Sequence, residues 1–445
     1  MKKGYPVLGF FAVFTILCWL ATPALKEVSF LTELSQLFAA LALVGFSCAF
    51  FISTRHPMLD TLFNGLDKSY TVHKWLTITS VSLVITHLIT LNLGRHMGTG
   101  RTPGMTPGRT PGMTPGLEGE HLFVHLGIPS LILFVALILI ALLVKKWDYQ
   151  KWKTIHKIMI IPYIIGLIHY YGSSVYGSFN FETFGVWLNI MNLIGILSAI
   201  YSLFLYENIA FPFRYTITNL QTVSKGTLEI TGKTTSKGIP FQPGQFTFLK
   251  VLPNRKTPSQ KPFYFPSHPF TISSSPATDE TSKGTIQFTI KNLGDHTATL
   301  INSLETGHEL VLTASHGTFD YTKGSKNQIW IAGGIGVTPF RSFYQSNIPE
   351  NVFIDFFYCY HGEEEGVYLD EMRALKKDNL RIHLIDDTKQ GFLTIDMIKE
   401  TISLENPVDI FFCGPKPMRE SLKKNLQSSS LHVLGFHYEE FQFGR

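Results

Sequence analysis

The chain has 445 residues, a formal net charge of +5, only 16% charged residues and a mean hydropathy of +0.14. That length admits two or three domains, and the small basic excess, with no Lys/Arg-rich patch interleaved with aromatics, argues against a nucleic-acid partner. Four cysteines, Cys18, Cys48, Cys359 and Cys413, with no C-x-x-C pair, argue against a disulfide framework or a zinc site.

The apolar residues concentrate in the first 206 positions. Six stretches there have spanning length, roughly 5–24, 29–52, 70–93, 122–144, 153–173 and 182–206. Glu33, Ser35 and Gln36 delay the start of the second. Lys2 and Lys3 precede the first, and no small-residue cleavage site follows, so a retained helix is expected rather than a removed signal peptide. With the N-terminus inside, the inner segments carry Lys2, Lys3, Arg55, Lys68, Lys145, Lys146, Lys151 and Lys153. The outer segments carry Lys26, Arg95, Arg101 and Arg109. Eight cations against four favour that orientation and place residues 207–445 in the cytoplasm.

The third stretch holds His73 and His87, 14 residues apart, and the fifth holds His156 and His169, 13 apart. Ionisable residues at membrane depth are costly and are retained for function. At a rise of ~1.5 Å per residue the two levels lie ~20 Å apart. One histidine from each helix at each level suits two stacked haems. Facing is harder to derive. A 14-residue step returns to within ~40° of the same helix face, whereas a 13-residue step lands ~140° away. Pro162 lies between His156 and His169 and predicts a kink or rewinding there.

The connection after the third stretch repeats Thr-Pro-Gly at Thr102, Thr106, Thr110 and Thr114. Pro and Gly every fourth residue cannot build helix or sheet, which predicts an exposed outer loop. From Phe213 short β-rich runs follow, at 215–218, 227–231, 245–251, 285–291 and 309–313, predicting an antiparallel barrel. After Gly324, buried-type strands at 328–332, 352–358, 381–385 and 409–413 alternate with helical segments, predicting a small parallel sheet. The expected domains are therefore 1–210, 211–325 and 326–445.

Four motifs lie in the second half. His268-Pro-Phe-Thr-Ile-Ser273 is a Pro-fixed strand able to present amides and a hydroxyl to an isoalloxazine ring. In Asn292-Leu-Gly-Asp-His-Thr297, Gly294 allows phosphate approach and Thr297 offers a hydroxyl at a helix start. Ile331-Ala-Gly-Gly-Ile-Gly-Val-Thr-Pro339 sets three glycines between strand and helix, without the G-x-G-x-x-G spacing. Cys413-Gly-Pro415 ends a strand, where ligands of open parallel sheets bind.

In this order and at these intervals, the motifs resemble the ferredoxin–NADP reductase type of flavin module. Joined to six helices with paired histidines, the chain resembles the NADPH oxidase / ferric reductase superfamily, closest to its compact bacterial NADPH oxidases. The resemblance covers nearly the whole chain apart from the Thr-Pro-Gly loop. It implies a six-helix transmembrane bundle followed by an antiparallel β-barrel flavin domain and an α/β nucleotide-binding domain. By that likeness His73 and His156 would ligate the inner haem b, and His87 and His169 the outer one. His268, Pro269, Phe270, Thr271, Ile272 and Ser273 would hold FAD, with Gly294 and Thr297 on its pyrophosphate side. Gly333, Gly334, Gly336, Thr338 and Pro339 would hold the nicotinamide nucleotide, with Cys413, Gly414 and Pro415 beside the nicotinamide and Phe443 stacking on the flavin. The resemblance favours NADPH, with NADH an alternative. Tyr358-Cys-Tyr-His-Gly-Glu363 lacks the arginine that many NADPH-selective relatives carry nearby, which leaves His361, Arg341 and Lys389 for a 2′-phosphate.

The implied activity carries electrons across a bacterial cell membrane to oxygen, forming superoxide, or to a ferric chelate by the same route. The few acids of the outer loops, Glu118, Glu120 and Glu182, lean towards oxygen. Electron transfer needs no general base, so no catalytic dyad is expected, nor an obligatory protein partner beyond the lipid bilayer.

Overall fold

In the computed structural model, residues 3–22, 29–97, 123–143, 149–173, 182–252, 267–277, 284–402 and 406–439 are described. The Thr-Pro-Gly repeat and Phe443 lie outside them. The chain divides into two compact units, with the division after Tyr206.

The first unit is helical: α1 (Gly4–Leu20), α2 (Phe30–Ser53), α3 (Met58–Phe63), α4 (Leu66–Met97), α5 (Gly127–Leu143), α6 (Tyr149–Lys157), α7 (Ile160–Ser173) and α8 (Thr183–Ile200), then a π-helical turn, Tyr201–Leu205. Among the described residues four helical stretches are long and apolar enough to cross a membrane: Phe30–Ser53, Leu66–Gly94, Phe123–Leu143 and Thr183–Ile209. The first expected span is apolar but only 17 residues long, and the fifth is split into α6 and α7. The segment between the second and third expected spans contains α3, which ends at Asn64 in the left-handed region, φ 60°. Asn tolerates that conformation better than most residues, which is why it caps helices.

Small residues let α2 sit close to its neighbours. A Cβ added at Gly45 would lie 2.2 Å from the Ser80 hydroxyl on α4, so a larger residue would have to displace that hydroxyl. Phe46 stacks on Phe134 of α5 at 4.4 Å, and the Ser47 hydroxyl bonds the Tyr163 hydroxyl of α7 at 3.1 Å. Helix α2 begins at Ser29, whose hydroxyl accepts from the Thr32 amide at 3.3 Å, with Glu33 in the first turn. Both features favour a helix N-terminus.

The second unit begins with a six-stranded antiparallel sheet of β1 (Phe213–Ser224), β2 (Thr227–Lys233), β3 (Phe246–Leu252), β4 (His268–Thr271), β5 (Thr285–Lys291) and β6 (Glu309–Leu312). The order is β4-β3-β6-β1-β2-β5. Its two edges meet at one backbone bridge, Ile272 to Phe288. Ile217, Ile230, Val251, Phe288 and Leu310 form the buried interior of this curled sheet. A helix, α9 (Asp295–Ser303), follows β5.

A five-stranded parallel sheet completes the unit: β7 (Asn327–Gly333), β8 (Phe353–Tyr360), β9 (Leu380–Asp386), β10 (Val408–Cys413) and β11 (Val433–Glu439), ordered β11-β10-β7-β8-β9. The helices α10 (Thr338–Gln345), α11 (Leu369–Ala374), α12 (Ile395–Thr401) and α13 (Lys416–Gln427) lie between the strands in sequence. Four of the five strands were readable as apolar runs. The edge strand β11 was not, since His437 and Gly435 interrupt it and most of its residues are only partly buried. The strand order reverses between β7 and β10. That is the switch point at which doubly wound sheets open a ligand crevice beyond their carboxyl ends.

Candidate functional site

The four membrane histidines come from three helices, and the backbone fixes most of them. His73 Nδ1 lies 2.9 Å from the Ala49 carbonyl, and His87 Nδ1 lies 2.8 Å from the Ser35 carbonyl. A carbonyl only accepts, so Nδ1 carries the proton in both and Nε2 keeps its lone pair. The two acceptors on α2 are 14 residues apart, as are the two histidines on α4. The same contact is thus made twice along one antiparallel helix pair. His169 follows the pattern from α7, with Nδ1 2.9 Å from the Phe123 carbonyl.

His156 is the exception. Its Nδ1 is buried and has no hydrogen-bond partner. Its ring stacks on Trp152 at 4.9 Å and lies 6.0 Å from the His73 ring at 64°. A recess beside it is lined by Leu137, Ile140, Ala141, Trp152 and Ile155.

The break between α6 and α7 turns His156 and His169 part of the way towards a common face. Pro162 has no amide hydrogen and clashes with the carbonyl four residues earlier, which is Ile158. Around that point the amides of Ile158, Met159 and Ile161 bond to the third residue back, at 2.9, 3.1 and 2.9 Å. Such turns advance ~120° per residue instead of ~100°. Three of them recover on the order of 60° of the ~140° shortfall left by a 13-residue step. The expected kink is therefore an overwound break one turn before the proline.

These residues fit haem. A bis-histidine haem takes only two protein nitrogens, so the lack of any cluster of three or more His, Cys, Asp or Glu among the described residues bears on other metals. The His73 and His156 rings, with centres 6.0 Å apart, are close enough that both would hold one haem iron. At the other level, a Cβ on Gly127 would lie 3.1 Å from His169 Nε2. A larger residue there would crowd that nitrogen.

In the second unit the flavin motif is placed differently from the expectation. The Ile272 and Ser273 amides are occupied by the Gln245 and Gln287 carbonyls, at 3.0 and 2.9 Å. The Ile272 side chain is fully buried in the sheet interior, and Ser273 is also buried, accepting from Thr289 at 2.9 Å. Neither amide is open to a ligand. Thr271 does fit one, because its Oγ is buried without a hydrogen-bond partner. Pro269 pairs with Phe248 across the sheet, and Phe270 packs against the interior.

His268 stacks on His296 of α9 with centroids 3.4 Å apart. Burial, then the neighbouring His268, pushes His296 down to about 4. No spacing in the sequence pairs His296 with His268. Thr297 caps its own helix, accepting from the Leu293 and Gly294 amides at 3.0 and 3.2 Å. Gly294 has an extended φ of 170°, which any residue adopts, and open space where a Cβ would be. Its conformation does not demand glycine.

At the switch point the remaining glycines are required. A Cβ on Gly336 would lie 2.2 Å from the Cys413 carbonyl, and one on Gly333 would lie 2.7 Å from the Pro415 ring. A Cβ on Gly414 would lie 3.0 Å from the Gly333 amide nitrogen. Cys413 pairs with Ala332 and Glu439 on either side. The Cys413 thiol is buried, and burial, then Glu439, pushes it far up. That makes it a packing group rather than a thiolate nucleophile. Gly334 has φ 55° and open space around it. Thr338 bonds the Ile335 carbonyl at 3.1 Å, and Pro339 occupies the first turn of α10, where its missing amide costs nothing.

Arg341, one of three residues considered for a 2′-phosphate, is buried and committed elsewhere. It pairs with Glu229 and Glu371, both at 3.0 Å, and lies 4.1 Å over the Tyr368 ring. The Tyr368 hydroxyl donates to Glu229 at 2.5 Å and contacts the Thr289 hydroxyl. This buried network, invisible in the sequence, ties α10 and α11 to β2 and β5.

Comparison with known proteins matches three families along the chain: a "Ferric reductase like transmembrane component" over residues 38–167, an "FAD-binding domain" over 212–338 and an "Oxidoreductase NAD-binding domain" over 330–424. Similar curated proteins include the ferredoxin reductase component of 3-ketosteroid-9-alpha-monooxygenase from Rhodococcus rhodochrous, 25% identical over 205 residues. The glycine betaine monooxygenase reductase subunit of Chromohalobacter salexigens is 25% identical over 220 residues. Each alignment covers 45% of this chain and 56% of the relative, so the chain spans about half the length of the curated relatives it matches. Among solved structures, a ferredoxin NADP+ reductase from Neisseria gonorrhoeae with bound FAD and NADP aligns with a TM-score of 0.41 at 14% identity. That alignment covers 51% of this chain and 97% of the other.

Proposed function

Given a chain with the architecture of the ferric reductase/NADPH oxidase superfamily, a ferric-reductase-like transmembrane component followed by FAD- and NAD-binding domains, we propose that it moves electrons from a cytoplasmic nicotinamide nucleotide across the membrane. The route runs through FAD and two bis-histidine haems to oxygen on the outer side. Such cofactors supply the conversion of a two-electron hydride donor into single-electron transfer.

The observation that carries this reading is the shared tethering of His73, His87 and His169. Each donates Nδ1–H to a backbone carbonyl and leaves Nε2 as an available ligand. Ligating histidines are held this way, through the nitrogen that does not bind the metal. His73 and His156 would hold the inner haem, and His87 and His169 the outer one. Thr271 would meet the flavin. The close-packed backbones of Gly333, Gly336 and Gly414 would form the floor under the nicotinamide. A negative interior assists outward electron flow by ~2.3 kcal/mol per electron per 100 mV over the full span.

His87 and His169 would hold the outer haem, which would supply single-electron transfer to the acceptor. The same wiring serves reduction of a ferric chelate, which the match to a ferric-reductase-like component favours equally. Cytochrome c reduction by the detergent-purified chain, with nucleotide and FAD, separates the two. Loss of the signal on adding superoxide dismutase supports oxygen as acceptor. Persistence of the signal supports direct transfer to other acceptors.

A further inference from the structure

The carboxyl end of β8 carries a dense set of paired charges. In a doubly wound sheet the adenosine ribose lies over the strand next to the switch-point strand, and the group following that strand reads the 2′ position. Here the switch-point strand is β7 and its neighbour is β8. The chain turns after β8 at Gly362, φ 69°, and returns with Glu363, Glu364 and Glu365.

Every cation considered for a 2′-phosphate is already matched by carboxylates. Glu363 takes two bonds from Arg373, at 2.8 and 2.9 Å, and a third from Lys389, and Arg373 also meets Asp370 at 3.2 Å. Lys389 lies between Glu363 at 3.4 Å and Asp386 at 3.3 Å. His361 Nδ1 faces Asp387 at 2.7 Å. Lys225 and Lys291 are taken by Glu364 and Glu365, at 3.2 and 2.8 Å. Six carboxylates thus face four permanent cations in these pairs. Asp386 also accepts from the Gly362 amide at 3.0 Å, which fixes the turn and holds Glu363 in place.

A 2′-phosphate brings ~1.5 to 2 negative charges. To bind here it would have to displace a carboxylate from Arg373 or Lys389 and then sit beside it. A ribose diol instead brings two hydroxyl donors and no charge, and an exposed carboxylate accepts from them. We propose that this protein prefers NADH to NADPH, and that Glu363 is the selecting residue, accepting from the adenosine ribose hydroxyls and repelling a 2′-phosphate. The inference rests on the nucleotide-site reading above and names its substrate.

The test is titration calorimetry of the full-length, FAD-loaded chain in detergent with NAD+ and, separately, NADP+. The expected result is at least 10-fold tighter binding of NAD+, with the gap narrowed or inverted in Glu363→Arg and reduced in Glu363→Gln. Glu363 is half exposed, so both variants are expected to fold, which an unchanged FAD content would verify. Equal or tighter binding of NADP+ by the unaltered chain overturns the inference alone. A gap that neither substitution changes removes Glu363 from the role and overturns the proposal as stated. Binding of neither nucleotide overturns it together with the nucleotide-site reading.

Discussion

Helix α4 and the pair α6–α7 each present two histidines, yet they do so by opposite means. Helix α4 is continuous over 32 residues, and its 14-residue step nearly repeats the helical period. The fifth expected span has a step one residue shorter, breaks at Ile158–Met159 and overwinds ahead of Pro162. Histidine spacing is therefore a statement about depth, and facing is set separately. In α4 facing follows from the period alone. In α6–α7 it requires a proline. The acceptors differ too: α4 finds both its carbonyls on the neighbouring α2, whereas His169 uses Phe123 and His156 uses none for its Nδ1.

The strongest way to break this comparison is to remove one ligand at a time. Replacing His87 or His169 with Ala should cost one of the two haems and abolish transmembrane electron transfer, read as a halved pyridine haemochrome signal. Full haem content in either variant would contradict the pairing. A sharper cut comes from Pro162→Ala, which allows the α-helix to run through. Its two histidines would then point on the order of 140° apart, so haem content should fall even though the substitution favours the helix itself. No counterpart of that effect is expected for small-residue changes on α4.

Gly127→Ala probes one level only. The added methyl would crowd His169 Nε2 at 3.1 Å, so the outer haem should be weakened on the order of 10-fold, in line with other changes around a ligand. The inner haem should be unaffected, and separate redox titration of the two centres would show it.

In the second unit the effects are smaller. Thr271→Ala should weaken FAD binding by about 0.5–1.5 kcal/mol, the usual worth of one hydrogen bond, measured by flavin fluorescence titration. His296 supplies a pH dependence. Its folded value is held at about 4 against 6.5, so between these the unfolded chain binds more protons. Stability is then lost as pH falls from 6.5 towards 4. The melting temperature should decline across that window, and less so in His296→Phe.

Much of this arrangement was legible in the sequence, for identifiable reasons. The depth of the histidines, the apolar strands and the glycine-rich turns are local patterns, set by period or by backbone crowding. Gly336 and Gly414 are glycines because two strand ends meet with no room for a Cβ, and their motifs announced that. What escaped was non-local. The carbonyls of Ala49, Ser35 and Phe123 carry no residue signature, since any residue supplies one. The Arg341–Glu229–Glu371–Tyr368 network joins segments more than 100 residues apart in the sequence, and no spacing rule connects them. The flavin motif misled in part, because a β-strand ladder already uses the Ile272 and Ser273 amides.

The most direct test of the central claim is the haem stoichiometry and spin state of the purified chain, by pyridine haemochrome assay with electron paramagnetic resonance. The account predicts two b-type haems per chain, both low-spin with two imidazole ligands. A chain with no haem, or with one high-spin centre, would contradict the pairing of His73 with His156 and of His87 with His169.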